Sequence, residues 1–273
     1  MGATRPSTSA LRASDGRLMW LGPSRVFYAG LLGATSHRSL GGHGIYVSPT
    51  GQPLRMRIAG GAWASGELLV VPARVSHQVA AEHPLVLNLL IEPESVDPAR
   101  LPSFLRHCGP VEAPAFAQRV RDGHAQLLAL AGREGADAFP DFDELFFGGA
   151  LAPPTLDARI GEVIARIVAD PAAPSPADEC AAAVGLSFSR FLHLFKQQTG
   201  ITFRAFRAWK RARSLLYHVH QAASLTDIAL DTGYPDSTHF SHSIRRFYGL
   251  KPRAIFSGSR DLAIYRSEET AVS

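Results

Sequence analysis

Residues 224–252 read SLTDIALDTGYPDSTHFSHSIRRFYGLKP. The passage divides into two short helical patterns around a turn. Ile228 and Ala229 sit in the first pattern, and Gly233 supplies a residue free to take positive φ. Asp236 is a candidate N-cap for the second pattern, where Phe240, Ile244 and Phe247 recur at helical spacing and face a core. That leaves Ser237, Thr238, Ser241, His242 and Arg245 on the opposite face. One glycine between two helices is no more than an αα-hairpin.

The reading gains force upstream, where residues 181–206 read AAAVGLSFSRFLHLFKQQTGITFRAF and repeat the pattern. Gly185 takes the turn position and Ser187 the N-cap. Phe191, Leu194 and Phe195 point inward, while Ser189, His193 and Lys196 stay outside. Between the two units, Phe203 to His220 carries Phe206, Trp209, Ala212, Leu216 and Val219 on one stripe and Arg204, Arg207 and Arg211 on another. This predicts a single long helix joining the units. Short polar and basic side chains on an exposed helix are what a major groove accepts, and a rigid joint could set both second helices into successive grooves roughly 34 Å apart.

Charge points the same way. The 273 residues carry a formal net charge of +4, and the surplus lies in residues 155–260, whereas residues 1–154 balance. A neutral first half joined to a basic second half implies two tasks, the second with an anionic partner. With 46% hydrophobic and 19% charged residues the chain can bury cores. Cys108 and Cys180 alone support neither a disulfide scaffold nor an all-cysteine metal cluster and fit a reducing cytosol. No apolar run approaches the ~18–20 residues of a bilayer span. Residues 1–17 lack a signal-type apolar run and read as a loose tail.

From Val26 to Pro93 the chain reads as short strands: alternating Leu54-Arg55-Met56-Arg57-Ile58, then Leu68–Val71 and Leu85–Leu87, each bounded by Pro or Gly turn signals. Close punctuation of this kind predicts a β-sandwich or barrel. Helices are expected at Pro98–His107, Ala115–Ala131 and Phe142–Phe147. A linker follows at residues 151–154, ending in Pro153-Pro154, and then a helix capped by Thr155 with Leu156, Ile160, Val163, Ile164, Ile167 and Val168 on one stripe, stopped at Asp170-Pro171.

The two quoted stretches resemble the double helix-turn-helix domain of the AraC/XylS family of bacterial transcriptional regulators, over about Thr155 to Arg260. The resemblance implies base contacts from Ser189, Leu192, His193 and Lys196, and from Ser237, Thr238, Ser241 and His242. His242 stands where the family often has arginine, so a bidentate guanine contact would give way to a weaker, pH-sensitive one. Arg190, Lys196, Arg245, Arg246, Lys251 and Arg253 are the phosphate candidates. The β-rich half resembles the cupin-like sensor domain of the same family. Residues 66–77 follow the second cupin motif, with Arg74 in place of its glycine and His77 at its end. His37 and His43 lie near the first motif, which lacks its H-x-H and its glutamate. A catalytic cupin metal needs three or four converging N/O ligands, and His37, His43 and His77 are the set on offer. The expected chain has no cofactor and holds one small organic effector in a site drawn from His37, His43, Tyr46, Arg57, Trp63 and His77.

The expected protein is thus α+β. A tail (1–17) precedes a cupin-like β-barrel or sandwich with helices (18–150) that binds the effector and dimerises. The linker (151–154) leads to an all-α double helix-turn-helix (155–260) and a second tail (261–273). Its partners would be double-stranded DNA, a small molecule, a second copy of itself and, if it activates, RNA polymerase. It would work in the cytoplasm, off the membrane and without enzymatic activity. The alternatives are a metal-dependent cupin enzyme fused to a DNA-binding module, and a regulator that answers to a partner protein or to its own abundance.

Overall fold

Leu54–Ile58 folds as its alternation demands, with Leu54 and Met56 buried and Arg55 exposed. The computed structural model describes residues 16–131, 140–221, 223–259 and 262–266. Its strands are β1 (Leu18–Leu21), β2 (Arg25–Leu31), β3 (His43–Val47), β4 (Leu54–Ile58), β5 (Trp63–Gly66), β6 (Leu68–Val71), β7 (His77–Ala80), β8 (Leu85–Ile91) and β9 (Gly109–Pro110). The helices follow: α1 (Pro114–Ala131), α2 (Phe142–Phe147), α3 (Ala158–Ala169), α4 (Ala177–Ala183), α5 (Phe188–Thr199), α6 (Phe203–Ser214), α7 (Leu225–Asp231), α8 (Ser237–Tyr248) and α9 (Pro252–Gly258). A strand, β10 (Ala263–Arg266), comes last.

Seven strands form one sheet in the order β10-β1-β2-β8-β3-β6-β9, and β5-β4-β7 form a second. One face of the large sheet, with Ile45, Val47, Leu68, Val70, Leu87 and Leu89, packs on Val120, Leu127, Phe142 and Phe146 of α1 and α2. The other face, with Tyr46, Leu69, Val71 and Leu90, meets Leu54, Met56 and Val79 of the small sheet. Because both faces are covered, β1 and β6 are unbroken apolar runs rather than alternating ones. The second core runs on without a break into Trp209, Ala212, Leu215, Ile228, Phe240 and Ile244 of the helical region. The first helix-turn-helix unit keeps a core of its own around Ile160, Val163, Phe191, Phe195 and Phe206.

A charge sits at the seam. Glu92, just past β8, is 0% exposed. It accepts hydrogen bonds from Trp209 Nε1 (2.8 Å) and Lys210 Nζ (2.7 Å), and Arg213 Nε lies 2.8 Å away as an ion pair whose angle falls short of a hydrogen bond. Lys210 also pairs with Glu94, and Arg213 Nη2 donates to the Gly22 carbonyl. Burial by itself would raise the Glu92 pKa, but Lys210 and Arg213 overcome it and hold the carboxyl below its ordinary value.

Several expectations need correction. Pro98–His107 is not an α-helix; single 3-10 turns stand at Pro93–Ser95 and Ser103–Arg106, because Pro102 has no N–H to give and keeps the residue before it extended. The long joining helix stops at Ser214, whose hydroxyl bonds back to the Arg211 carbonyl (2.7 Å), and a 3-10 turn over Leu215–Tyr217 carries the chain on while Leu215 stays buried. The cap of α3 is Asp157, not Thr155; Asp157 accepts from the Arg159 N–H at 3.0 Å. The expected second tail, 261–273, contains β10, which pairs in parallel with β1 from Leu18↔Ala263 to Leu21↔Arg266. It completes the ladder that β1 would otherwise leave open. Residues 1–15 of the first tail, and 261 and 267–273 of the second, lie outside the described residues. Both cysteines are free thiols.

Removing the Glu92 charge leaves buried Arg213 without its carboxylate and buried Lys210 with Glu94 alone. Glu92→Gln should lower the free energy of unfolding in urea by about 3–5 kcal/mol; a loss under ~1 kcal/mol would show that Lys210 and Arg213 find other partners. Since the folded pKa lies below the ordinary carboxylate value, the stability Glu92 confers is complete above that ordinary value and is lost as pH falls through the folded one.

Candidate nucleic-acid interface

Both turns are built around a left-handed residue, Gly185 at φ 66° and Gly233 at φ 79°. At Gly233 a second constraint applies: a Cβ would stand 2.6 Å from the Ala172 carbonyl oxygen, so this turn closes against the loop after α3 only with glycine. The helices that follow start where their caps dictate. Ser187 accepts from the Arg190 N–H (3.4 Å), and Asp236 accepts from the N–H groups of Thr238 and His239 (2.8 Å each). Upstream, Ser224 and Asp227 form a reciprocal capping box on α7. The backbone bond from His239 is the largest of the effects that lower the Asp236 pKa.

Phe191, Leu194 and Phe195 on α5, and Phe240, Ile244 and Phe247 on α8, are buried. The helices therefore present their other faces. Ser189, Arg190, His193 and Lys196 are exposed on α5, and Leu192 is half-buried against the unit's own core. On α8, Thr238, His242, Arg245 and Arg246 are exposed, and Ser237 and Ser241 half-buried; Lys251 and Arg253 are exposed beyond it. His239 escaped the sequence reading. It is exposed one turn before His242, on the same face, and Asp236 Oδ2 holds its Nδ1 at 2.8 Å. The i,i+3 spacing of the two histidines was the available signal.

The six expected effector residues are not brought together. His37 is exposed in a loop, and Trp63 is 38% exposed with Arg57 5.1 Å from its ring on the outer side of the small sheet. Arg57 Nε donates to Gln78 Oε1 at 2.7 Å. His43 pairs with Ile91 and shares the face of Ile45, so it points toward the α1–α2 layer, while Tyr46 points to the opposite side, where His77 meets it. The strand's two-residue period thus separates His43 from His77, and no group of three His, Cys, Asp or Glu residues able to hold a metal exists among the described residues. Tyr46 donates to His77 Nε2 (2.9 Å), and His77 Nδ1 donates to the Val75 carbonyl (2.8 Å). Burial, with Arg38 adding to it, lowers the His77 pKa to about 4 and keeps the ring neutral.

A cavity of about 340 Å³ does open beside Tyr46, between the large sheet and the second helix-turn-helix unit. Tyr28, Val86 and Leu90 line one side, and Leu216, Tyr248, Leu250 and Ile255 the other. Arg38, absent from the expected set, lines it too. It is 8% exposed and bonds to the Tyr46 hydroxyl, while its Nε and Nη2 have no partner.

The family described as a helix-turn-helix domain matches residues 180–257. The transcriptional activator RhaS of Klebsiella pneumoniae (strain 342) is 37% identical over 153 residues, covering 52% of this chain and 54% of RhaS. The invasion protein InvF of Salmonella typhi is 32% identical over 72 residues, 26% of this chain and 33% of InvF. The chain thus spans about half the length of RhaS and a third of InvF. Among solved structures, ToxT from Vibrio cholerae superposes with a TM-score of 0.52 at 8% identity, over 86% of this chain and 98% of that one, a likeness of fold. With two capped helix-turn-helix units in tandem behind a two-sheet domain, the chain carries a helix-turn-helix domain over residues 180–257 and is similar there to the transcriptional activator RhaS.

Proposed function

We propose that this chain is a sequence-specific DNA-binding transcriptional regulator, acting in the cytoplasm and controlled by a small molecule. The observation that carries the reading is the pair of helices α5 and α8. Each is capped by a short polar side chain, anchored by three buried apolar residues and polar or basic on its outer face. Such helices supply base contacts, and the surrounding Arg and Lys residues neutralise phosphates. Ser189, Leu192, His193 and Lys196, and Ser237, Thr238, Ser241 and His242 with His239 added, are the proposed readers. Arg190, Arg245, Arg246, Lys251 and Arg253 are the proposed phosphate contacts. Activation is the sense carried by the name of RhaS; RNA polymerase is then the proposed protein partner, and α1 with α2 the proposed dimer surface. No helix among the described residues is long and apolar enough to cross a membrane.

The proposed effector site is the cavity at Arg38. A buried guanidinium with two of its three nitrogens unpartnered is costly, and a free Nε with a free Nη2 is the side-on fork that grips both oxygens of a carboxylate. The apolar walls suit the rest of a monoacid. Because the walls come from both domains, such a ligand would favour one domain arrangement over another, which is the condition for control. The rival metal-dependent enzyme loses its support with the separation of His43 from His77.

Replacing Ser241 and His242 with alanine should narrow the affinity gap between a selected site and random duplex by at least tenfold, measured by competition binding; an unchanged gap removes them from readout. Arg245→Ala should weaken binding to every sequence and lower the salt slope by about one. For the effector site, 4-phenylbutyrate should raise the melting temperature where 4-phenylbutan-1-ol does not, and Arg38→Gln should abolish the difference. Equal shifts from acid and alcohol would show that Arg38 holds no carboxylate.

A further inference from the structure

A second cleft, of about 400 Å³, lies between the domains and is separate in its lining from the Arg38 cavity. Its walls include Ser39 and Arg74 from the β-domain, Thr202 and Arg204 from the start of α6, and Arg246 from α8, with Trp209 also lining it. Three arginines from three separate segments thus line one space, and no carboxylate shares the lining. Among the described residues none of the three takes part in an ion pair. Arg246 is a phosphate candidate by sequence, yet unlike its neighbour Arg245 it lines this cleft between the domains.

Arg74 is the telling residue. It holds φ at 67°, and only Ala59 shares a positive φ among the described non-glycine residues. The motif that this segment resembles has glycine at that position, which would take the conformation without strain. The backbone is fixed there by two bonds, Arg74 N–H to the Leu40 carbonyl (2.6 Å) and Ser39 Oγ to the Arg74 carbonyl (3.0 Å). The fold therefore keeps a long cationic side chain where its backbone favours none, at the point where the β-domain faces Arg204 and Arg246. Thr202 caps α6 through the Ala205 N–H (3.3 Å), and the first-turn N–H groups of this 12-residue helix add positive potential beside Arg204.

We propose that this cleft binds a small phosphate-bearing molecule, clasped by Arg74 from one domain and by Arg204 and Arg246 from the other. Guanidinium forks match phosphate oxygens, and three of them suit a dianion better than a single carboxylate. The volume exceeds that of bare phosphate and leaves room for a body attached to it. Such a ligand would bridge the domains at a place distinct from the monoacid site, and it would draw Arg246 away from duty on DNA. The same phosphate chemistry could come from the backbone of bound DNA, and the test separates the two sources.

The experiment is calorimetric titration of the full chain with pyrophosphate at fixed ionic strength, repeated with Arg74→Gly and Arg204→Gln. The expected result is one site per chain, weakened at least tenfold in each variant. Arg74→Gly relieves the backbone rather than straining it, so its melting temperature should hold or rise while pyrophosphate binding is lost. Equal affinity in Arg74→Gly and the parent, or no binding to the parent, would overturn the proposal. So would a parent that ignores pyrophosphate while Arg74→Gly lowers the salt slope on random duplex, since Arg74 would then serve the DNA backbone. Site-specific DNA binding by the parent, measured separately, tests the regulator reading, so failure of one is distinguishable from failure of the other.

Discussion

The arrangement of this protein depends on a buried carboxylate. Glu92 directly follows a central strand of the large sheet, and three residues from two successive turns of α6, Trp209, Lys210 and Arg213, converge on it. Burying these charges is expensive, and the cost is offset only when all of them meet. The contact is therefore demanding about position: α6 has one rotation and one height at which it satisfies Glu92. As α6 also joins the two helix-turn-helix units, the same carboxylate that anchors the sheet sets the orientation of the surface proposed to meet DNA.

That anchoring is uneven. The second helix-turn-helix unit shares its apolar core with the sheets, whereas the first has a core of its own. The boundary runs along α6 between Phe206, which belongs to the first unit, and Trp209, which belongs to the shared core. Anything that changes the seam, whether at the Arg38 cavity or at the arginine-lined cleft, acts directly on α8 and reaches α5 through less than one turn of helix.

What the sequence made legible was local. Gly185 and Gly233, the caps Ser187 and Asp236, and the inward residues Phe191, Leu194, Phe195, Phe240, Ile244 and Phe247 could be read because each is settled within a turn or two of chain. Leu54–Ile58, Leu68–Val71 and Phe142–Phe147 were legible for the same reason. The seam was not. Nothing near Glu92 announces a partner 117 residues away in Trp209, and β10, four residues in the short final segment, carries no local pattern that sets it apart from a tail. Arg38 was passed over because one arginine between two histidines carries no pattern, and its meaning lies in two unpartnered nitrogens facing a largely apolar space. The histidines His43 and His77 misled in the opposite direction, since sequence proximity to a motif says nothing about which side of a sheet a ring will occupy.

The pairing of β10 with β1 has a consequence for how the chain can be taken apart. The last described strand lies beside the first, so the polypeptide is stitched into a loop by four registered pairs. A fragment cut at the proline linker would leave the sheet with an open margin and the helical half with a homeless strand, each a template for sticking to other chains. Dissection into β-rich and helical pieces would therefore yield parts less soluble than the whole unless the cut also reassigned Ala263–Arg266 to the β-rich piece.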